Sequence, residues 1–373
     1  MKLTGPEKVV RNLLASAGIK VGGKNPWDIQ IKDRRAYDKI LGQGSLGFGE
    51  SYMDNWWDCD ALDDLICRIH EANLREKAKK DMETIALAVR SRLFNLQTNR
   101  RAFEVAEKHY DLGNDLYEPM LGKTMAYTCA YWRNASNLDE AQTAKFDLIC
   151  RKTGLKPGMK ILELGCGWGS FAKHAAENYG VEITGYTVSK EQVALGMERC
   201  KGLPVVLRLD DYRHARGEYD AIISIGIMEH VGYKNYRTYM KVADRCLKKN
   251  GVVFIHTIGG NKSRTAIEPW LNKYIFPNAM LPSIAQLATA MEGLFIIEDL
   301  HNIGPDYDRT LLAWHENFEK AWPALKEKYS ERFYRMWRFY LLSCAAVFRA
   351  RYAQLWQMVL TRIGTPQPDC RIS

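Results

Sequence analysis

Long hydrophobic runs are absent from this chain of 373 residues. The longest apolar stretch near its end, residues 339–348, is far shorter than the roughly 20 residues that a membrane-spanning helix requires. The nine cysteines are scattered and include no Cys-x-x-Cys pair of the kind that binds zinc. No signal peptide, repeat period or low-complexity tract is recognisable. The sequence therefore predicts a soluble cytoplasmic protein with reduced thiols and no bound metal.

Charge is unevenly distributed along the chain, whose formal net charge is +9. Residues 314–373 carry 10 Lys and Arg against 5 Asp and Glu, and residues 1–108 carry 19 against 16. The middle of the chain is therefore close to neutral. A basic periphery favours contact with an anionic surface, either lipid headgroups or nucleic acid phosphates. Ordinary solvated helix faces would give the same pattern.

A glycine-rich turn is the most informative motif. Residues 159–170 read Met-Lys-Ile-Leu-Glu-Leu-Gly-Cys-Gly-Trp-Gly-Ser, an apolar strand that carries Glu163 and ends in Gly165, Gly167 and Gly169. Glycines let the backbone amides of such a turn approach a ligand, and the following helix adds its N-terminal N–H groups. Dinucleotide-binding folds use similar turns. The buried strand acid, which would face a cationic methionyl group, favours S-adenosylmethionine instead.

The second predicted strand, residues 181–187, ends without the Asp or Glu that usually binds the ribose hydroxyl groups. Thr187, Ser189 and Gln192 follow there, so neutral oxygens and an amide would have to contact the ribose. This difference argues against an ordinary NAD site. A dehydrogenase stays open as an alternative at this point.

Strands and helices alternate from about residue 108, which predicts a doubly wound, mostly parallel, seven-stranded sheet with ligands at the carboxyl ends of its strands. The predicted strands are residues 159–165, 181–187, 204–209, 219–226, 251–258, 293–299 and 308–314, followed by aromatic, basic helices over 315–361. Residues 1–96 predict a smaller, mainly helical domain, with helices over 6–17, 61–74 and 77–96, a strand over 28–32 and a glycine and aromatic loop over 44–57. A linker is predicted over 97–107, and residues 108–373 form the predicted catalytic domain.

Six motifs follow one another along the chain. They are His-Tyr-Asp-Leu-Gly-Asn-Asp at 109–115, Tyr-Thr-Cys-Ala-Tyr-Trp at 127–132, Leu-Gly-Cys-Gly-Trp-Gly at 164–169, Met-Glu-His-Val-Gly at 228–232, His-Thr-Ile-Gly at 256–259 and Lys-Tyr-Ile-Phe-Pro at 273–277. In this order they resemble the motifs of the cyclopropane-fatty-acyl-phospholipid synthases. The similarity continues through 44–57 and 92–97, which distinguishes these enzymes from the shorter mycolic acid cyclopropane synthases. The resemblance implies a class I S-adenosylmethionine-dependent methyltransferase fold, with lipid-binding insertions and C-terminal helices.

The resemblance also implies a reaction. The sulfonium methyl group is transferred to a cis double bond in a phospholipid acyl chain, and loss of a proton then closes a cyclopropane ring. Water would trap the carbocation formed on the way, so the pocket has to be dry and has to hold a base. In the family that base is a bound bicarbonate ion. The matching positions are Cys129 and Ile258 through the backbone, His256 and Tyr307 through side-chain donors, and Glu229 as the acceptor of the bicarbonate proton.

The cofactor positions of the family can be carried over in the same way. Tyr127, Thr128 and Glu163 match the methionyl part, Gly165 and Gly167 the turn, Thr187, Ser189 and Gln192 the ribose, and Asp211 and Tyr212 the border of the adenine. Tyr131, Tyr274 and Phe276 are candidates for lining the acyl tunnel, because they lie in or beside these motifs and aromatic faces can stabilise a cation.

Each of these residues, taken singly, also has a structural explanation, such as a buried cysteine, a core isoleucine or a core histidine with a hydrogen-bond partner. Three other functions share part of the pattern. An alkene methyltransferase would stop at a methyl branch. A small-amine N-methyltransferase shares the fold but would need neither the set of Cys129, Glu229, His256 and Tyr307 nor basic termini. A lipid-binding protein without activity would not need an intact cofactor motif.

Partners follow from the resemblance as well. The expected substrate is a membrane phospholipid with unsaturated acyl chains, reached by a peripheral protein on the inner face of an anionic bilayer. The N-terminal domain and the basic C-terminal helices are the expected contact regions. A homodimer is expected, and a nucleic acid partner is not.

Overall fold

The computed structural model describes residues 5–74 and 113–372. The predictions for a helix over 77–96, a linker over 97–107 and the motif residues 92–97 and 109–112 lie outside the described residues. The chain divides into two compact units. The first comprises Met1–Phe94, Ala266–Pro277 and Asp308–Ala353, and the second Asn95–Thr265, Asn278–Tyr307 and Gln354–Ser373. The first unit thus includes two later segments that the sequence boundaries assigned to the catalytic domain.

The helices and strands are named here in chain order. They are α1 (Gly5–Ala15), β1 (Gln30–Ile31), α2 (Arg35–Met53), β2 (Trp57–Asp58), α3 (Leu62–Glu71), α4 (Asn114–Leu121), α5 (Leu138–Lys152), β3 (Lys160–Leu164), α6 (Ser170–Tyr179), β4 (Glu182–Thr187), α7 (Lys190–Arg199), β5 (Val205–Leu209), β6 (Tyr219–Ile225), α8 (Met228–Val231), α9 (Tyr236–Cys246), β7 (Leu247–Gly260), α10 (Pro269–Tyr274), α11 (Ile284–Met291), β8 (Phe295–Asn302), α12 (Gly304–Leu325), α13 (Glu331–Arg349) and β9 (Ala353–Arg362). No helix in the described ranges is long and apolar enough to cross a membrane.

Aromatic rings fill the interior of the first unit. Phe339 on α13 packs against Tyr52 and Trp270, with ring centroids 5.6 and 4.7 Å apart. Gly49 on α2 allows this packing, because an added Cβ would lie 2.4 Å from Cδ1 of Trp270. The predicted loop over 44–57 is wrong, since most of it belongs to α2. Within α2 only Gly44 departs from helical geometry, with φ 58° and ψ −131°. Later glycines of this helix allow other side chains to pack closely against it.

The second unit contains a seven-stranded sheet, in the order β5-β4-β3-β6-β7-β9-β8. The pairs β4–β5, β3–β4, β3–β6 and β6–β7 are parallel, and β8–β9 is antiparallel. The sheet confirms the predicted mostly parallel architecture. The chain leaves β3 toward β4 and β5 and later returns on the other side as β6, so the strand order reverses at β3. Ligands of such sheets bind beside the carboxyl ends of the strands at this point.

The seventh strand is not the predicted one. Residues 308–314 lie in α12, so the predicted strand there is wrong. Tyr307, Thr310, Leu311 and Trp314 are the buried positions, and their spacing of three and four residues is helical. The last strand is instead β9, which falls inside the region predicted as helix over 315–361. Nearly all of β9 is buried, and a short strand buried on both faces lacks the alternation that identifies a strand in sequence.

Candidate active site

The glycine turn after β3 forms one wall of a cleft at the carboxyl edge of the sheet. Gly165, Gly167 and Gly169 all have positive φ, at 81°, 53° and 70°. The backbone N–H groups of Gly165 and Cys166 both donate to the carbonyl of Tyr186 at the end of β4, at 2.9 Å. A Cβ added at Gly167 would meet no atom within 4 Å. Gly167 therefore borders open space in the cleft, and this fits a turn that lets a ligand approach its backbone.

Most of the predicted cofactor residues line this one cleft. They are Tyr127, Thr128, Glu163, Gly165, Gly167, Thr187, Gln192, Asp211 and Tyr212. Ser189 is not among the lining residues of the described cleft. Its hydroxyl oxygen accepts the backbone N–H of Gln192 at 3.3 Å and caps α7. Other lining residues had no signal that singled them out in the sequence, among them Asp210, Trp168 and His230.

The positions predicted to contact the ribose are neutral groups that hydrogen-bond to one another. The Thr187 hydroxyl donates to Oε1 of Gln192 at 2.6 Å, and the backbone N–H of Ser189 donates to Thr187 Oγ1 at 3.3 Å. Because the Gln192 carbonyl oxygen is engaged, the amide NH₂ group is what Gln192 can offer to a ligand. Asp211 also lines the cleft but is nearly inaccessible to solvent, and its two carboxylate oxygens accept from Arg213 at 2.8 and 2.7 Å.

Glu163, which lines the cleft, and Lys145 are both buried and close enough for their charges to interact. Burial raises the pKa of Glu163 well above its ordinary value, and the positive charge of Lys145 acts in the opposite direction. Lys145 lies on α5 and is fully buried. The sequence analysis missed it, because a lysine in an amphipathic helix normally faces solvent.

The proposed anion-binding residues lie in the second unit, near the cofactor cleft. Oε1 of Glu229 on α8 accepts the backbone N–H of Ile258 on β7 at 2.6 Å. His256 lies beside Ile225 in the parallel register, and its carbonyl accepts the N–H of Gly226, which lines the cleft, at 2.8 Å. Glu229 and Ile258 are thus in direct contact, and His256 is two residues away on the same strand.

Cys129 and Tyr307 belong to two further segments of the second unit, whose neighbouring residues are in contact. A Cβ added at Gly226 would lie 2.6 Å from the methyl carbon of Thr128, so Thr128 and Cys129 pass close to the end of β6. Cys129 is fully buried. The carboxylate of Asp306 accepts the backbone N–H of Trp132 at 3.0 Å, which brings the segment before Tyr307 to the same stretch of chain. Tyr307 itself is buried.

Two buried atoms in this group have no hydrogen-bond partner, Oε2 of Glu229 and Nε2 of His256. Burial raises the pKa of Glu229 to about 7, and the nearby backbone groups of Glu229 and Ile258 and the Thr257 hydroxyl act in the opposite direction. Burial lowers the pKa of His256 well below its ordinary value, so the ring is neutral. A buried acceptor and a buried ring nitrogen without partners fit a small polar ligand, because such atoms are otherwise costly to bury.

Gln357 on β9 orients the His256 ring. Its amide nitrogen lies 3.5 Å from Nδ1 of His256, and both side chains are buried. With the amide nitrogen facing the ring, Nδ1 accepts and the ring proton is on Nε2, where it can be donated to a ligand. With the amide oxygen facing the ring, Nδ1 donates and Nε2 is the acceptor. The sequence analysis missed Gln357, since this segment was predicted as helix.

The aromatic candidates for the acyl tunnel lie in different units. Tyr274 and Phe276 belong to the first unit, where the Tyr274 hydroxyl donates to Glu50 at 2.8 Å and Phe276 faces Tyr340 at 5.7 Å. Tyr131 belongs to the second unit, where its ring lies 6.1 Å from that of His301. Their role in the tunnel stays a prediction.

Comparison with known proteins identifies the family. The family model described as "Mycolic acid cyclopropane synthetase" matches residues 97–358, which is more than half of the chain. The chain belongs to this family. Cyclopropane-fatty-acyl-phospholipid synthase of Escherichia coli (strain K12) is 49% identical to it over 355 residues, covering 95% of this chain and 93% of that protein. The resemblance found in the motifs is thereby confirmed.

Two further relatives in this family bear on the fold and the activity. Tuberculostearic acid methyltransferase UfaA1 of Mycobacterium tuberculosis is 31% identical over 379 residues, covering 95% of this chain and 88% of that protein. The crystal structure of mycolic acid cyclopropane synthase CmaA1 complexed with SAH and CTAB has a TM-score of 0.63 and 30% identity, covering 69% of this chain and 97% of that one. The class I fold is confirmed, and the chain is an S-adenosylmethionine-dependent methyltransferase.

Substitution of Gly167 tests the cofactor cleft. Gly167→Ala is expected to weaken S-adenosylmethionine binding by about tenfold or more, and Gly167→Val to abolish it, because the new side chain would enter the open space of the cleft. Gly154→Ala is the matched control, since Gly154 also has positive φ, 61°, and no atom within 4 Å of an added Cβ, but does not line the cleft. Calorimetric titration measures both affinities. Equal affinities for the Gly167→Ala and Gly154→Ala proteins would place the cofactor elsewhere.

Glu229 is expected to make stability depend on pH. Its pKa is raised to about 7 on folding, so between its ordinary pKa and this value the folded protein keeps a proton that the unfolded chain releases. Stability is therefore lost as the pH rises through this window. Glu229→Gln should then stabilise the protein more at about pH 8 than at about pH 5, by up to about 3 kcal/mol. Urea unfolding at the two pH values measures this. The same gain in stability at both pH values would show that Glu229 in the folded protein ionises as easily as it does in the unfolded chain.

Proposed function

We propose that this enzyme transfers a methylene unit from S-adenosylmethionine to the cis double bond of unsaturated phospholipid acyl chains and forms a cyclopropane ring. The similarity to the Escherichia coli synthase over 95% of the chain supports this substrate class. The observation that carries the proposal is the buried pair of unpartnered atoms, Oε2 of Glu229 and Nε2 of His256, near the cofactor cleft. A methyltransferase acting on an amine would have no need of a second polar site for an anion.

A bicarbonate ion held by Cys129, Glu229, His256, Ile258 and Tyr307 is the proposed base. When bound, S-adenosylmethionine supplies the electrophilic methyl group and bicarbonate supplies the base. The residues of this chain provide three conditions for that chemistry. Their burial excludes water, which would otherwise convert the carbocation on the acyl chain to an alcohol. In the tautomer that carries its proton on Nε2, His256 offers a donor there, and Glu229 keeps Oε2 to accept a proton while Ile258 holds its Oε1.

The pKa of Glu229 suits this role. A general base works best when its pKa lies near the working pH, because it is then both largely ionised and basic enough to take a proton. Burial raises the pKa of Glu229 to about 7. A carboxylate in direct contact with the sulfonium could itself be methylated, so a replaceable anion between Glu229 and the substrate protects the enzyme.

The proposed partners are an anionic bilayer, on whose inner face the enzyme lies peripherally in the cytoplasm, and a second copy of the chain. The arginines of α13 carry little of the membrane attraction, because they are engaged within the first unit. Arg332 pairs with Asp54 at 2.9 Å, and Arg349 pairs with Asp63 and Asp308 at 2.8 and 3.0 Å. The surface contact is therefore assigned to other basic residues of the two terminal regions.

Methyl branching without ring closure is the second candidate. It is favoured by the 31% identity to tuberculostearic acid methyltransferase UfaA1, which also extends over 95% of this chain. Both reactions start with methyl transfer to an alkene. In ring closure the transferred methyl group loses a proton and bonds to the cationic carbon. In methylene formation a hydride first shifts from the methylated carbon to the cationic carbon, and the methyl group then loses a proton to form the C=CH₂ bond. A saturated branch needs two more hydrogens, a hydride and a proton, with the hydride from a reductant.

Mass spectrometry of lipid products tests the function. The purified enzyme, given labelled S-adenosylmethionine and unsaturated phospholipid vesicles, is expected to add one CH₂ group per double bond. A methylene-branched isomer has the same mass, so proton NMR of the product is required, in which ring CH₂ protons resonate upfield of other lipid protons. An olefinic methylene signal, or a gain of two further hydrogens with a reductant, would favour the second candidate.

Vesicle composition in the same assay tests the surface contact. The rate is expected to rise with anionic lipid and to fall with salt, because each basic residue near such a surface contributes about 1 kcal/mol at low ionic strength. Equal rates on neutral and anionic vesicles at all salt concentrations would contradict an electrostatic contact.

Glu229→Gln tests the base. The amide oxygen can still accept the N–H of Ile258, but the side chain cannot take up a proton, so turnover should fall by about 10²–10⁴ with unchanged cofactor affinity. His256→Ala acts at the same anion, so the two changes together should cost less than the product of their separate effects. Initial rates and calorimetric titration provide these values. Removal of dissolved bicarbonate at fixed pH should also lower the wild-type rate.

Glu298→Gln is the matched control for this variant. Glu298 is a buried carboxylate of the same unit whose Oε1 accepts from the Thr361 hydroxyl at 2.5 Å, and it does not line the cleft. Its replacement should leave turnover within about twofold of wild type. Wild-type activity in Glu229→Gln, together with a rate independent of bicarbonate, would rule out the bound-anion mechanism.

A further inference from the structure

Lys145 is a fully buried lysine in the middle of α5. Lysines are almost never fully buried unless paired with a carboxylate. No ion pair in the described parts of the chain includes Lys145, whereas Lys152 on the same helix pairs with Asp299. Burial of Lys145 without such a pair is costly, so its position needs an explanation other than stability.

The ammonium group of Lys145 holds a short segment that contributes to both sites. Its Nζ donates to Oγ1 of Thr128 at 2.8 Å and to Oε1 of Gln142 at 2.6 Å. The Gln142 amide nitrogen in turn donates to the carbonyls of Ala126 and Thr128, at 3.3 and 2.9 Å. Two side chains of α5 thus fix residues 126–128 through three acceptors on the segment. Tyr127 and Thr128 line the cofactor cleft, and Cys129 follows directly.

The charge of Lys145 also couples the two sites electrostatically. Its charge favours ionisation of Glu163 on the cofactor side and disfavours protonation of His256 on the anion side. Burial lowers the pKa of Lys145 itself to about 7, with Cys129 and Glu163 acting in the opposite direction. Nζ also lies 4.4 Å from the ring centroid of Phe146, which lines the cleft.

We propose that Lys145 is a positioning residue that, together with Gln142, fixes residues 126–129 so that one segment serves the cofactor cleft and the anion site at once. The part concerning the anion rests on the proposed function, and the part concerning the cofactor does not. In its protonated form Lys145 also places a positive charge close enough to Glu163 and His256 to shift the pKa of both. Both sites should therefore weaken together when it is lost.

Lys145→Met tests the proposal, because methionine keeps an unbranched side chain of similar length but has neither charge nor N–H donors. The affinity for S-adenosylmethionine, measured by calorimetric titration without lipid or bicarbonate, should fall about tenfold or more, as expected for losing a hydrogen bond from a charged donor. The bicarbonate concentration that gives half-maximal rate should rise as well. Unchanged cofactor affinity in a folded Lys145→Met protein would overturn the proposal.

Thr128→Val provides a second variant that retains the buried lysine. Valine has nearly the same shape as threonine and keeps the methyl carbon near Gly226, while it removes the hydroxyl that accepts from Lys145. Its affinity should fall less than that of Lys145→Met. The double variant should bind no more weakly than Lys145→Met by itself, since Lys145 acts through Thr128. If the losses of affinity in the two single variants multiplied in the double variant, Lys145 would not act through Thr128. Lys145→Gln can replace Lys145→Met in this comparison if Lys145→Met fails to fold.

Lys152→Met is the matched control for burial of a lysine in α5. It removes an ion pair and leaves Asp299 without its partner, so its thermal midpoint should fall at least as far as that of Lys145→Met. Its cofactor affinity should stay at the wild-type value. A loss of affinity as large as that of Lys145→Met would mean that α5 acts only through general stability. A wild-type rate that proves independent of bicarbonate would remove the anion part alone.

Discussion

Exclusion of water from the carboxyl ends of β3, β6 and β7 is the constraint on which the second unit depends. Glu163, Glu229, His256 and Lys145 are all buried there, and burial is the largest cause of the pKa shift of each. Each shift favours the neutral form of the group. A site without water therefore keeps its acidic and basic side chains largely uncharged. A proton can then pass between them with a small change in free energy. In the proposed reaction the same exclusion of water would protect a carbocation on the acyl chain, so the proposed chemistry and the pKa shifts require the same enclosure.

The parallel sheet brings these groups together without a long-range loop. Parallel pairing of β6 with β7 sets Ile225 beside His256, and Gly226 then donates to the His256 carbonyl. Gly226 has no side chain, which leaves room for the methyl group of Thr128. Gly226 thus allows the end of β6, the neighbouring strand β7 and residues 126–129 to pack against one another. The turn after β3 reaches the same edge because β3 pairs with β6. The cofactor cleft and the proposed anion site are close as a consequence of strand order.

Local patterns in the sequence predicted the elements whose structure depends on neighbouring residues in the chain. The glycine turn and the first six strands of the sheet follow from hydrophobic periodicity and from motifs, and most positions predicted for the cofactor line one cleft. Residues 308–314 and β9 were misassigned, since a buried helix and a fully buried strand have similar composition over short stretches. Lys145 and Gln357 could not be found in this way. A lysine in an amphipathic helix and a glutamine in an apolar stretch gain their meaning only from partners far along the chain, Thr128 and His256.

The contact between Glu229 and Ile258 gives the proposed anion site a built-in adjustment. The N–H of Ile258 now donates to Glu229, and hydrogen bonds of this kind lower the pKa that burial raises. Ile258 is also among the residues proposed to hold the anion through its backbone. If the proposed anion accepted that N–H instead, Glu229 would lose part of the stabilisation of its charged form and would become more basic. The affinity of Glu229 for a proton would then rise on binding of an anion that carries one. A carboxylate with fixed donors would lack this dependence, and it would be either too weak a base with the ligand or protonated without it.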